Sequence, residues 1–76
     1  MENINYKLVN KLREVRLNRN VSAEDLAMNV GVLKGTIESI EMGIVTPSLI
    51  LALKISRYLN TTVNDIFSVE YTPFIV

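Results

Sequence analysis

The sequence predicts an all-α domain of five short helices, and three observations carry that reading. Apolar residues recur at steps of three and four through most of the chain, the spacing of one helix face. Hydroxyl side chains and one proline fall where helices would begin, and glycines where they would end. The 76 residues include no cysteine, so the fold must be held by a packed core and not by a disulfide framework.

Helix 1 is expected from Tyr6 to Arg19, with Leu8, Leu12 and Val15 on its inner stripe and Asn18 to Asn20 as a polar break. Ser22 opens helix 2: its hydroxyl can cap free backbone N–H groups, and Asp25 three residues later suits the positive helix end. Leu26, Ala27 and Val30 form the inner face, and Gly31 supplies the left-handed residue that ends many helices. Ile37 and Ile40 share one face of helix 3, which Gly43 ends. Two short helices joined by a glycine turn make a helix-turn-helix unit. Helix 4 is expected to start at Thr46 as N-cap, with Pro47 in the first helical position, where its missing N–H is not needed. Leu49, Leu51, Ala52, Leu53, Ile55 and Leu59 make it apolar around much of its circumference, which marks it as the central core helix. Thr62 and Asp65 repeat the cap pattern for a short helix 5 with Val63, Ile66 and Phe67.

The whole chain, 1–76, reads as one domain with a core over 6–68 and a tail over 69–76. In the tail, Val69 and Tyr71 alternate with polar neighbours, and Phe74, Ile75 and Val76 follow Pro73. Alternation and β-branching favour a strand over a helix. A short pairing of the termini is expected, because Ile4 and Tyr6 alternate in the same way within Met1–Tyr6. Left in water, Val69, Tyr71, Phe74, Ile75 and Val76 would form an exposed patch or sheet edge. They are therefore the candidate dimer interface, with the small sheet continuing across a two-fold axis; the alternative is a tail that folds back over its own core.

Composition excludes several function classes. With neither histidine nor cysteine, the usual general base and the commonest metal ligands are missing. No paired carboxylate site is evident, so an enzyme is not expected, nor a cofactor, metal or small-molecule ligand. The longest apolar run, Leu49 to Leu53, falls far short of the roughly 20 residues that span a bilayer. Met1 to Tyr6 lacks the apolar segment of a signal peptide, so a soluble cytoplasmic protein is expected. Net charge is zero, but it is unevenly spread. Residues 1–20 carry five basic and two acidic side chains, and the remainder three basic and six acidic. A basic end can bind a polyanion, and it can equally be the solvated face of helix 1.

The string Ser22-Ala-Glu-Asp-Leu-Ala-Met-Asn-Val-Gly31, then Thr36-Ile-Glu-Ser-Ile-Glu-Met-Gly43, then Thr46-Pro-Ser-Leu49, resembles the Cro/cI-type (lambda-repressor-like, XRE-type) helix-turn-helix family, and the likeness extends over residues 10–70. It implies a five-helix DNA-binding domain in which the outer face of helix 3 enters the major groove. That face offers Lys34, Gly35, Thr36, Glu38 and Ser39; Ser22, Ala23 and Arg19 are the flanking candidates for DNA contact. Lys34 can donate to guanine or phosphate, Thr36 can bond phosphate or touch a thymine methyl, Glu38 can accept from cytosine N4, and Ser39 can do either. The resemblance also aligns Arg16 and Glu41 with a pair that bridges helix 1 and helix 3 in many members.

The chain departs from the family pattern at four places. Ala23 stands where glutamine is frequent, Gly35 where glutamine or arginine is, and Met42 where asparagine is. Leu33 replaces the hydroxyl cap of helix 3. Gly35 can serve a close backbone approach to DNA or no purpose at all. Leu33 and Met42 can contact a partner or extend the core. The sequence therefore supports a sequence-specific DNA-binding regulator, a homodimeric repressor or autoregulator on double-stranded operator DNA. The alternative is an interaction module, antirepressor or antitoxin-like, that keeps the fold without binding DNA. A continuous positive band from helix 1 to Lys34 would favour the first reading, and an apolar or acidic surface around helix 3 the second.

Overall fold

The computed structural model describes residues 4–73; Phe74, Ile75 and Val76, three of the candidate dimer residues, lie outside them. The order of elements is β1 (Ile4–Asn10), α1 (Leu12–Asn18), α2 (Ala23–Val30), α3 (Lys34–Glu41), α4 (Leu49–Tyr58), α5 (Val63–Ile66) and β2 (Phe67–Pro73). The five expected helices are present, and the two strands pair antiparallel into a terminal ribbon.

The caps explain most boundaries. Ser22 Oγ accepts from Asp25 N at 3.0 Å and Thr62 Oγ1 from Asp65 N at 3.2 Å, as their spacing predicts. Gly31 (φ 78°) and Gly43 (φ 76°) take the left-handed conformation beyond α2 and α3, where a side chain would be strained. After α1 and α4 the same backbone region is occupied by Asn20 and Asn60, a residue type that tolerates it.

Four expectations are corrected. Helix 1 does not reach back to Tyr6, because residues 4–10 are a strand. Leu8 lies four residues before Leu12 and so mimics a helical stripe, but it is also two residues after Tyr6. Seven cross-strand pairs from Ile4↔Pro73 to Asn10↔Phe67 realise the second periodicity. The cap of α4 is Ser48 and not Thr46: Ser48 is extended, and its Oγ accepts from Leu51 N at 3.2 Å, which leaves Pro47 just outside the helix. Helix α4 is also not buried all round. It sends Ala52, Ile55 and Ser56 inward, whereas Leu49, Ile50 and Leu53 are exposed. Leu33 and Met42 do not extend the core, since both project into solvent.

The core is drawn from every helix. Leu12, Leu26, Ile37, Ile40, Ile55, Leu59 and Ile66 are almost wholly buried, with Ala23, Ala27, Val30, Ala52 and Phe67 around them. Ala27 is a small buried residue of α2, the helix that packs on α3. Removing a large member of such a core costs about 2–5 kcal/mol. The base of the ribbon is fastened to this body by Lys11 N donating to Ile66 O at 2.7 Å.

Candidate nucleic-acid interface

Helix α3 presents one face to the core and one to solvent. Ile37 and Ile40 hold the inner face, with Thr36 and Ser39 half-buried at its margin. Lys34, Gly35, Glu38 and Met42 lie on the outer face, Lys34 and Glu38 one turn apart. The turn before α3 is closed by Gly31 N–H and Val32 N–H, both donating to Ala27 O. Leu33 occupies the N-cap with no side-chain bond to the helix, so it serves the first turn of α3 only through its carbonyl, which accepts from Thr36 N at 3.0 Å.

Lys34 Nζ lies 3.3 Å from Glu24 Oε1 across the helix pair. Both side chains are largely exposed, and such pairs are worth about 0–1 kcal/mol. The bond therefore parks the lysine on the outer face without fixing it there. Glu24 carried no signal in the sequence, because a partner ten residues away on another helix leaves no local pattern.

Arg16 and Glu41 form the expected pair. Arg16 Nε donates to Glu41 Oε2 at 2.7 Å and Nη2 to Oε1 at 3.2 Å, a two-pronged contact, while Nη1 donates to Val21 O at 3.0 Å. The side chains are only 10% and 8% exposed. The hydrogen bond to Glu41 raises the guanidinium pKa against the opposing effect of burial, with the charges of Glu41 and Glu38 adding to it. The bridge locks α1 to the end of α3 and so fixes how α3 projects.

The flanking candidates divide. Ser22 is exposed at the start of α2, but its hydroxyl is engaged as the cap. The Ala23 methyl is buried in the core, so only its backbone could face a ligand. Arg19 is engaged elsewhere: Nε donates to Leu59 O at 2.7 Å, at the C-terminal end of α4, where a cation suits the exposed carbonyls. A β-carbon added at Gly35 would meet nothing within 4 Å, so no packing inside the domain demands glycine there.

The charges around α3 alternate in sign. Arg13 shares a shallow groove with Arg16, Glu38, Glu41 and Met42, and Lys34 is paired with Glu24. No unbroken positive band runs from α1 to Lys34 across these residues. Among the described residues no cluster of acidic side chains could hold a metal ion, and no helix is long and apolar enough to cross a membrane.

A family model described as helix-turn-helix matches residues 12–66. A protein of Methanocaldococcus jannaschii named as an HTH-type transcriptional regulator is 44% identical over 61 residues, 80% of this chain and 92% of its own length. One of Bacillus subtilis with the same description is 41% identical over 61 residues, again 80% and 92% of the two chains. Another, from Archaeoglobus fulgidus, is 44% identical over 57 residues, 75% of this chain and 80% of its own.

Proposed function

Because this chain belongs to the Cro/cI-type helix-turn-helix family of transcriptional regulators, we propose that it is a sequence-specific DNA-binding regulator, not an enzyme, which places the outer face of α3 in the major groove. The observation that supports this most is the mounting of α3. Its inner face is sealed by Ile37 and Ile40, its end is clamped by the Arg16–Glu41 bridge, and its outer face is left to Lys34, Gly35, Glu38 and the margin residues Thr36 and Ser39. Recognition helices need this combination of a rigid base and free polar tips.

On this reading the protein acts as a homodimeric repressor or autoregulator. Two copies related by a two-fold axis would present their α3 helices about 34 Å apart, one turn of B-DNA. Lys34 exchanges Glu24 for a guanine edge or a phosphate. Glu38 accepts from a cytosine amine, and the absent side chain at Gly35 lets backbone and groove floor approach.

A second reading has two observations in its favour. The charges around α3 alternate in sign, with no unbroken positive band from α1 to Lys34. Leu33 and Met42, at the two ends of α3, are 79% and 67% exposed. Apolar residues at those positions suit a protein partner better than a phosphate backbone. Selection of bound sequences from random duplex DNA at low salt separates the two. Enrichment of one near-palindromic site supports the regulator; an unenriched pool supports the interaction module.

A further inference from the structure

The terminal ribbon has two unlike faces. In an antiparallel pair, residues directly opposite one another project to the same side, so the register places Tyr6, Tyr71, Leu8 and Val69 together on one face. Lys7↔Glu70 and Val9↔Ser68 fall on the other, which carries both charges of the ribbon's middle. The apolar face is the outward continuation of the core: the next pair along it is Asn10↔Phe67, and the Phe67 side chain is buried. Beyond that pair no residue of the described chain covers it. Tyr6 is 70% exposed, Tyr71 61%, Val69 61% and Leu8 38%. The two tyrosine rings lie side by side with centroids 5.9 Å apart.

We propose that this face, and not the edge of the ribbon, is the dimer interface, with Tyr6, Leu8, Val69 and Tyr71 packing against the same four side chains of a second copy. This deepens the homodimer reading above and rests on it. A second copy is the occupant that the face itself specifies. It is self-complementary, because a two-fold axis through it lays tyrosine and aliphatic rows against an identical surface with no charge in between. Its size also fits. An aromatic side chain buries about 150–250 Å², so these four offer on the order of 500 Å² per subunit. A stable interface needs about 800 Å² per partner. The face therefore suits a dimer of modest strength, assembled at micromolar protein and consolidated when both subunits meet one operator. Two sheets stacked in this way lie about 10 Å apart, and Asn10, at the ribbon base, donates to Ile40 O of α3 at 3.0 Å, so the pairing would set where the two α3 helices stand.

Sedimentation of the full chain across a concentration series tests this, together with cross-linking through single cysteines placed in a sequence that has none. The expected result is a concentration-dependent dimer whose dissociation constant rises at least about tenfold in the Tyr6→Ser, Tyr71→Ser double variant, since a few aromatic anchors dominate such contacts. Val69→Cys should join to its copy through a short bismaleimide, whereas Glu70→Cys, on the opposite face, should not. A chain that stays monomeric at millimolar concentration overturns the proposal. So does a dimer indifferent to the double serine change, which would move the contact to a surface such as the exposed Leu49, Ile50 and Leu53 of α4. If the double variant fails to fold, the cysteine pair still decides: equal cross-linking of Val69→Cys and Glu70→Cys overturns face packing. Lys34→Ala separates this from the DNA reading, because it should weaken duplex binding and leave the dimer constant unchanged. A dimer with no sequence preference keeps the interface and removes the operator; a monomer that still prefers one half-site does the reverse.

Discussion

The side-chain amide of Asn10 donates to the carbonyl oxygen of Ile40 at 3.0 Å, tying the last residue of β1 to the last turn of α3. The same side chain faces the start of α1, where its Oδ1 accepts from Leu12 N at 3.3 Å. One residue thus joins the ribbon, α1 and α3. Asn10→Ala should cost about 1–2 kcal/mol, the loss of a cap-like acceptor and a cross-element bond. Asn10→Asp keeps the acceptor and loses the donor, so it should also be less stable than the parent at neutral pH. Urea midpoints check both, and unchanged midpoints would show that the tie carries no energy.

The Arg16–Glu41 bridge gives a prediction with a defined sign. Arg16→Met leaves a nearly buried carboxylate without its partner, a change worth about 3–5 kcal/mol in comparable pairs. The double change Arg16→Met with Glu41→Leu should be less harmful than Arg16→Met alone, because the uncompensated charge is gone. A double-mutant cycle by chemical denaturation measures the coupling; a value near zero would make the two residues ordinary surface charges.

Acid sensitivity should pass in part through Asp65. Hydrogen bonding with Thr62, then with Thr61, holds its carboxyl below the usual value. A carboxyl with a depressed folded pKa stabilises the fold above its unfolded value of about 3.9, and that contribution disappears as pH falls through the folded value. Asp65→Asn should therefore lower Tm at neutral pH and flatten the fall in Tm below about pH 4. Parallel curves for the two proteins would assign the acid response to other groups.

Gly31 is a backbone requirement and not a packing one. Its φ is +78°, and an added β-carbon would meet nothing within 4 Å. Gly31→Ala should cost only the left-handed penalty of about 1–2 kcal/mol, with the helical circular dichroism intact. A loss much larger than that would point to a clash that the geometry does not contain.

Local signals carried the parts of the fold that short-range chemistry decides. Ser22 with Asp25, Thr62 with Asp65, and Gly31 were readable because each pairing lies within four residues. Arg16–Glu41 was legible only through the family likeness, since nothing local links residues 25 apart. The ribbon was half legible. Ile4, Tyr6, Val69 and Tyr71 showed alternation, but the strand over Leu8 to Asn10 depends on a partner some sixty residues away, and Leu8 fits a helical stripe equally well. Helix α4 misled for a related reason: apolar composition at Leu49, Ile50 and Leu53 states a preference for burial, but whether a neighbour covers them is a tertiary matter. At the candidate interface, the exposure of Lys34, Gly35 and Glu38 followed from helical geometry once Ile37 and Ile40 were set inward, but Thr36 and Ser39, expected on the same outer face, are half-buried at its margin. The burial of Ala23, the commitment of Arg19 to Leu59 and the Glu24–Lys34 pair did not follow from it, because each depends on the packing of separate helices.

Base reading by side chains on the outer face of α3 is tested by comparing the sites that the parent and Lys34→Ala select from random duplex DNA. The parent should enrich a near-palindromic site. Lys34→Ala should relax the preference at one symmetry-related position in each half-site, at a cost of about 1–3 kcal/mol for the parent sequence. An equal loss for all duplexes would make Lys34 a phosphate contact. No preference for any sequence by the parent protein at low salt would show that α3 does not read bases.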